Sequence, residues 1–484
     1  MRRKKSQTTT RTERRPLAVV ILAAGDGKRM RSHRPKVLHE LAGKPLLLHV
    51  LDAARALRPS RAVVVVGKSA KEVVAAAVDG ESVVVQEPRL GTGHAVLQAR
   101  RALAGFRGDV LVLSGDVPLL RASTLTKLLH LHRRADASAT VLSMIAAEPA
   151  GYGRVVRDGS GGIRIVEHAD ATPDERNIDE VNTGTYCFNS TFLFASLGKL
   201  GRKNVQREYY LTDLVAVAAR GGRARCHVLD DADEGLGVNS RLDLACAEAA
   251  LQERLIAEWM DKGVTFLDPS SAYLGADVRL GMDVSIGPSV VLLGRTEISE
   301  GARIDGASRI SDTVVGAGAH VRWGVVADGA RIATDARVGP YAHLRPGASL
   351  GDSVHIGNFV EVKNATLGRG SKANHLAYIG DATVGRDANI GAGTITCNYD
   401  GFRKHRTVIG DRVQIGSDTQ LVAPVTLGAD SYVAAGSTVS RDVPAGALAF
   451  NDKQQMTRPN WVRAFRKRAT GEPLTKRRNA RSKS

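Results

Sequence analysis

Aromatic residues are scarce in this chain: Phe, Trp and Tyr together make up 4% of its 484 residues. Its core must be filled mainly by aliphatic side chains. Cysteine is scarcer still. The four present, Cys187, Cys226, Cys246 and Cys397, include no pair at C-x-x-C spacing, which argues against a zinc ribbon, a redox pair or a disulfide framework and fits a reducing cytoplasm. No run approaches the ~20 apolar residues of a membrane-spanning helix. Basic residues up to Arg15, followed by the eight apolar residues Leu17–Ala24, have the outline of a signal peptide. With Asp26, Lys28 and Arg29 close behind, the same stretch reads instead as a buried strand running into a glycine loop.

Charge is missing from the middle of the chain. The net charge is +18, but residues 1–16 hold seven Lys/Arg and one Glu, and residues 457–484 hold ten and one. The two ends therefore carry +15, and the 440 residues between them carry +3. Such runs read as solvated, disordered tails, or as segments that bind nucleic acid or an anionic surface through counterion release.

What is there is a globular composition, 43% hydrophobic and 24% charged, at a length that fits two or three domains. From Leu17 to about Ala245 short apolar runs (Ala18–Leu22, Ala62–Val66, Ser82–Val85, Val110–Leu113) alternate with helical stretches such as Leu46–Leu57 and Lys71–Val78. That alternation predicts an α/β domain with a mostly parallel sheet, over residues 17–245, with ligands beyond the carboxyl ends of its strands. A connecting helix follows, within a linker at 246–264. From Val278 the period becomes six: Val278, Val284, Val290; Ile298, Ile304, Ile310; Ile332, Val338, Leu344, Leu350, Ile356, Val362; Ile415, Leu421, Leu427, Val433, Val439. A hexapeptide period predicts an all-β C-terminal domain, a parallel β-helix over 265–450, before a basic tail at 451–484. The period breaks at about Lys363–Thr383 and Gly391–Gln414, and insertions in a solenoid often build a site.

The first strand runs into Leu22-Ala23-Ala24-Gly25-Asp26-Gly27-Lys28-Arg29-Met30. Its glycines let backbone N–H groups approach phosphate oxygens, and Arg29 and Lys36 supply cations for a triphosphate. The string L-A-A-G-x-G-x-R-M…P-K-V-L resembles the sugar-1-phosphate nucleotidyltransferase family. Further motifs match in order: Gln86 and the loop Leu90-Gly91-Thr92-Gly93-His94-Ala95, which that resemblance places at the uracil; Ser114-Gly115-Asp116-Val117-Pro118; Gly151–Arg154; Ile165–His168; Asn182-Thr183-Gly184; and Gly237-Val238-Asn239. The resemblance implies a Rossmann-like domain that transfers a uridylyl group from UTP. In it Asp116 and Asn239 hold Mg²⁺, and Gly153, Glu167 and Asn182 hydrogen-bond the sugar. In-line positioning and charge neutralisation suffice for such chemistry.

The fusion to a hexapeptide helix narrows the resemblance to the bifunctional family that joins N-acetylglucosamine-1-phosphate uridyltransferase to glucosamine-1-phosphate N-acetyltransferase. Leu344–Gly347, Gly357–Lys363, Ser371–Tyr378 and Gly391–Gly401 carry it. It implies a left-handed β-helix, an exception to the right-handed crossover rule. It also implies His375 as the base that deprotonates an amine, Arg345 and Lys363 on a sugar phosphate, and Tyr378 and Asn389 beside the sugar. Ala392, Asn398, Tyr399, Ser417 and Ala435 would line an acetyl-CoA site shared between chains of a homotrimer. Histidine, with an ordinary pKa of about 6.5, suits such a base. One departure stands out: where relatives carry an Arg near the CoA phosphates, this chain has Asp452, with Lys453 adjacent. Two alternatives follow from the residues: uridylyl transfer alone, with a degenerate acetyl site, and a nucleic-acid-binding scaffold acting through the tails.

Overall fold

The computed structural model describes residues 15–471, apart from residues 26, 68–71, 73, 75–78 and 160–161. Most of the helix expected at Lys71–Val78, and the outer parts of both basic ends, lie outside the described residues. The chain divides into two units between Tyr341 and Ala342.

The first unit opens on a sheet of nine strands: β1 Leu17–Ala23, β2 Arg61–Val66, β3 Ser82–Val85, β4 Asp109–Ser114, β5 Ala139–Ile145, β6 Arg154–Arg157, β7 Ile163–Val166, β8 Glu180–Asn189 and β9 Ala224–Val228. Their order is β9-β5-β8-β4-β1-β2-β3, with the β6–β7 hairpin attached to β8. The stretch with the outline of a signal peptide is the central strand, parallel to β2 and β4. Val19, Ile21 and Ala23 pack on one face with Leu47 and Leu51 of helix Leu46–Ala56 and Leu125 and Leu128 of helix Ala122–Arg134. Ala18 and Val20 pack on the other with Ala95 and Val96 of helix Thr92–Gln98. Burial on both faces is why β1 reads as an unbroken apolar run rather than an alternation. β8 is antiparallel to β4 and β5, so the sheet is mixed on that side.

Helix Arg241–Asp261 begins on a capping box between Ser240 and Asp243, five residues before the expected linker at 246–264. Gln252 fastens it to the first coil. Its amide donates to Leu274 O and accepts from Leu274 N, both at 2.8 Å. From Thr265 to Val338 short parallel strands stack in three columns. Ser285 pairs with Arg303 and Arg303 with His320, so each coil is 18 or 17 residues long. The second unit repeats the arrangement from His343 to Ala449. Every aliphatic residue of the six-residue series points inward, none more than 7% exposed.

The two breaks in the period differ. Lys363–Thr383 is no insertion: Glu361 pairs with Tyr378 and Thr366 with Thr383, seventeen residues on, so the coil is shortened by one residue. Ile395, by contrast, pairs with Gln420, twenty-five residues on. The extra chain leaves the coil after Cys397 and returns at Thr407. The ends also depart from featureless tails. Arg15 pairs with Asp136 at 2.5 Å, and Trp461–Thr470 is an α-helix with every residue exposed. No helix among the described residues is long and apolar enough to cross a membrane.

His132, on helix Ala122–Arg134, is fully buried between Thr140 (Nδ1 to Oγ1 2.8 Å) and Asp109 (Nε2 to Oδ1 3.7 Å). Burial pushes its pKa down to about 4, against the pull of Asp109. A depressed folded pKa gives stability that is present above the ordinary value of about 6.5 and lost as pH falls through 4. The unfolding free energy of the wild type should lose about 3 kcal/mol relative to His132→Gln between pH 7 and pH 4. Parallel denaturation profiles for the two proteins across that range would contradict a neutral buried His132.

Candidate active sites

In the first unit the motif residues gather at the carboxyl ends of β1, β3 and β4. β1 delivers Leu22, Ala23 and Ala24 into an exposed turn at Gly25, with Gly27 beyond the undescribed Asp26. Gly27 is left-handed (φ 60°), and a Cβ there would lie 2.7 Å from Cβ of Lys36, so the loop closes on the lysine only without a side chain. Lys36 reaches across the strand ends. Its ammonium donates to Asp116 Oδ2 and, at 3.0 Å, to Asn239 Oδ1. Asp116 follows Ser114 and Gly115 at the end of β4, and Gly115 N donates to Leu22 O at 2.9 Å. Val238 N donates to Asp116 O at 2.8 Å, which holds Asn239 beside it. The two side-chain oxygens thus converge on one cation-sized point. That donor set fits Mg²⁺, which takes few protein oxygens and leaves its other positions to water and phosphate. No group of three or more His, Cys, Asp or Glu among the described residues could hold a metal. Arg29 is exposed on the same loop.

Gln86, buried at the end of β3, donates to Gly91 O at 3.0 Å and lies 3.2 Å from His94 Nδ1. It fixes the turn into helix Thr92–Gln98, where Thr92 Oγ1 accepts from Leu211 N at 3.0 Å. The sugar-side residues meet across β8. The pairing of β8 with β5 slips between Asn182 and Thr185, a bulge that redirects Asn182. Gly184 is left-handed (φ 76°) because a Cβ would come within 2.6 Å of Ser114 Oγ. Asn182 N donates to Gly153 O at 2.8 Å, and its amide donates to Tyr186 Oη at 2.7 Å. A Cβ on Gly153 would stand 3.3 Å from Glu167 Oε2, so Gly153, Glu167 and Asn182 form one cluster. Sequence reasoning passed over Tyr152, whose hydroxyl accepts from Gly237 N at 3.2 Å and ties the sugar side to the Asn239 loop.

In the second unit, stacking of coils sorts the remaining residues into columns. Asn358 pairs with His375. The same register carries His375 onto Ala392, as Gly393 N donates to Leu376 O. Ala392 lies under Ser417, since Asp418 N donates to Ala392 O, and Ser417 under Ala435, since Gly436 N donates to Ser417 O. Lys453 completes the column, its ammonium donating to Gly436 O at 2.8 Å. Ser417, Ala435 and Asp452 are exposed and leave one side of the column open. At its foot His375 Nδ1 lies 2.8 Å from Asn358 Oδ1. With Nδ1–H donating to that oxygen, Nε2 carries the free lone pair. Asn358 stands inside the Gly357–Lys363 motif, but nothing in its identity marked it. Asn389 stacks on Lys372 in the same sheet.

Beside this column lies a cationic patch. Arg345 N donates to Val362 O, which sets Arg345 against Lys363 on the next coil, and Arg345 Nη1 donates to Glu361 Oε1 at 2.7 Å. Glu361 pairs in turn with Tyr378. Lys404, on the inserted loop, comes against Lys363, and this contact holds its pKa below the ordinary lysine value. Sequence reasoning gave Lys404 no role, because only folding of the loop brings it to Lys363. Asp381 anchors the loop. Its carboxylate accepts from Asn364 (2.5 Å) and from the buried Asn398. One N–H of the Asn398 amide thus holds the residue at the base of the loop. Burial alone would raise the Asp381 pKa, but these bonds together with Lys363 and Lys404 lower it. Tyr399 is exposed and donates to Gly401 O at 2.6 Å. Asp400 closes the loop tip. The Arg403 N–H, the His405 imidazole and the Phe402 N–H hold its pKa down to about 2.

Burial pushes the Glu167 carboxyl up, and its bond from Thr212 (3.1 Å) only partly offsets this. A carboxyl raised on folding contributes stability that is complete below its unfolded pKa and lost as pH rises through the folded one. Glu167→Gln should therefore melt like the wild type at about pH 4 and at a higher temperature at neutral pH. Thermal denaturation followed across that range checks the sign.

Comparison with known proteins agrees with both halves. Residues 19–160 match the model of the MobA-like NTP transferase domain, and residues 406–441 match that of the bacterial transferase hexapeptide (six repeats). A relative from Pelobacter propionicus, "Bifunctional protein GlmU", is 49% identical over 92% of this chain and 98% of its own. Proteins of the same name from Desulfitobacterium hafniense (47%, covering 93% and 99%) and Trichlorobacter lovleyi (49%, covering 94% and 99%) extend the likeness. A mixed, mostly parallel α/β domain followed by a left-handed parallel β-helix, matched at that identity along nearly its whole length, makes this chain a member of the bifunctional GlmU family, transferases that join a uridyltransferase to an acetyltransferase.

Proposed function

We propose that the two sites carry out consecutive steps in making UDP-N-acetylglucosamine. At the second site the amine of glucosamine 1-phosphate attacks the thioester carbon of acetyl-CoA. The C–N bond forms, the C–S bond breaks, and His375 Nε2 takes the amine proton and passes it to the departing thiolate. Arg345, Lys363 and Lys404 hold the sugar phosphate. The cluster of Arg345 with Lys363 and Lys404, whose mutual repulsion lowers the Lys404 pKa even with the Asp381 carboxylate beside them, is the observation that supports this most directly. Tyr378 and Asn389 flank the sugar. The column Ala392, Ser417, Ala435 takes the CoA arm, with Tyr399 at its edge. Lys453 supplies the cation that Asp452 cannot, which favours a working acetyl site over a degenerate one.

At the first site a phosphate oxygen of N-acetylglucosamine 1-phosphate attacks the α-phosphorus of UTP and displaces pyrophosphate. Arg29 and Lys36 offset the triphosphate charge, the Leu22–Gly25 turn and Ser114–Gly115 pack against the nucleotide, and Gln86, Gly91 and Thr92 seat the uracil. Gly153, Glu167 and Asn182 hydrogen-bond the sugar. Asp116 and Asn239 would hold Mg²⁺, which neutralises phosphate charge when bound. A homotrimer would close the open side of the acetyl column, and the four unpaired cysteines suit a reducing cytoplasm.

A coupled assay from glucosamine 1-phosphate, acetyl-CoA and UTP tests the scheme. His375→Ala should lower acetyl transfer by about 10²–10⁴-fold and spare uridylyl transfer; Asp116→Ala should do the reverse. If both variants lose the same single activity, the two-site assignment is wrong. Lys404→Ala should raise KM for glucosamine 1-phosphate about tenfold with KM for acetyl-CoA unchanged; equal rises in both would place Lys404 on the wrong substrate.

A further inference from the structure

Three consecutive backbone N–H groups lead up to the Asn239 side chain, and each is held by a different part of the first unit. Gly237 N donates to the Tyr152 hydroxyl at 3.2 Å, ahead of β6. Val238 N donates to Asp116 O at 2.8 Å, past the end of β4. Asn239 N donates to Asp243 Oδ2 at 2.9 Å, on the first turn of helix Arg241–Asp261. The same carboxylate oxygen accepts from Ser240 N, also at 2.9 Å. A capping box asks its acid to accept from the N–H of the cap residue alone, here Ser240. The bond from Asn239 is additional, and helix capping does not require it. The three acceptors are a hydroxyl, a carbonyl and a carboxylate, and the carboxylate makes the strongest bond. Its negative charge is favoured at a helix N-terminus, and the side chain is half-buried.

We infer that Asp243 is a positioning residue for the metal site: by fixing the backbone of Asn239 it keeps Oδ1 of that residue beside Asp116. This rests on the reading of Asp116 and Asn239 as the pair that holds Mg²⁺. An amide oxygen carries no net charge and attracts a cation less than a carboxylate does, so its share of the affinity depends on being in place before the ion arrives. Mg²⁺ also accepts little departure from octahedral geometry. Asn239 Oδ1 already meets a cation, the Lys36 ammonium, at 3.0 Å. The other half of the capping box separates positioning from capping. Ser240 Oγ accepts from Asp243 N at 3.2 Å and steadies the start of the helix, while Asn239 N is held by Asp243.

Mn²⁺ in place of Mg²⁺, followed by the electron paramagnetic resonance of the free ion, tests this in the full chain saturated with UDP-N-acetylglucosamine. Asp116→Ala should abolish binding at the site and so sets the background. Asp243→Ala should weaken Mn²⁺ binding about tenfold or more, and the Mg²⁺ concentration that gives half-maximal uridylyl transfer should rise with it. Asp243→Asn, whose amide oxygen can still accept both N–H bonds, should stay within about threefold of the wild type. Ser240→Ala should melt at a lower temperature, as Asp243→Ala does, yet bind Mn²⁺ like the wild type. Acetyl transfer should be unchanged in Asp243→Ala, Asp243→Asn and Ser240→Ala. Wild-type Mn²⁺ affinity in Asp243→Ala would overturn the inference and leave Asp243 a helix cap. Equal losses in Asp243→Ala and Ser240→Ala would overturn it too, since fraying of the helix would then be the cause. So would a loss in Asp243→Asn as large as in Asp243→Ala, which would make charge the cause and not position. If Asp116→Ala binds Mn²⁺ as the wild type does, the metal pair itself is misassigned and the inference falls with it.

Discussion

Backbone hydrogen bonding between successive coils is the constraint on which the second unit depends. Each short strand donates to and accepts from the coils before and after it, so a residue's neighbours are found by counting 17 or 18 along the chain, or 25 across the inserted loop. One inward aliphatic residue on each side keeps the count from slipping, because a one-residue shift would turn that side chain out to water. The acetyl-transfer residues inherit their positions from this count. Asn358, His375, Ala392, Ser417, Ala435 and Lys453 are scattered over nearly a hundred positions and become neighbours because the coils close.

The first unit reaches precision by another route. Three parallel strand ends fix a ledge, and two long-range bonds finish it: Gly115 to Leu22 and Val238 to Asp116. The second of these sets Asn239 beside Asp116, across more than a hundred residues. Lys36, lying between their oxygens, marks the point as one that selects positive charge. The bulge at Asn182 then turns a strand that would otherwise only pair into one that presents an amide.

How much of this was legible depended on whether the signal was local. The six-residue period is local, and every residue it picked is buried. The apolar runs of β1 to β4 are local as well, and their limits came within a residue or so of the observed strands. The antiparallel β8 was less visible: its partners lie some 40 and 70 residues back, and its bulge breaks the alternation that would announce a strand. Lys404 and Asn358 were missed for a related reason, since each acts through a neighbour that only coil closure supplies. The break at Lys363–Thr383 was read as an insertion because losing one residue and gaining several disturb a six-residue count alike.

The column above His375 has one further consequence. From His375 to Ala435 there are three coil steps, each about 4.8 Å, and the Lys453 ammonium rests on Gly436 O at that level, so the reacting nitrogen and the terminal cation stand about 14 Å apart along the solenoid axis. The solenoid is thus a ruler. The acyl carrier it accepts must place its thioester at one mark and its phosphates at another, and the chain can change that length only in whole coils.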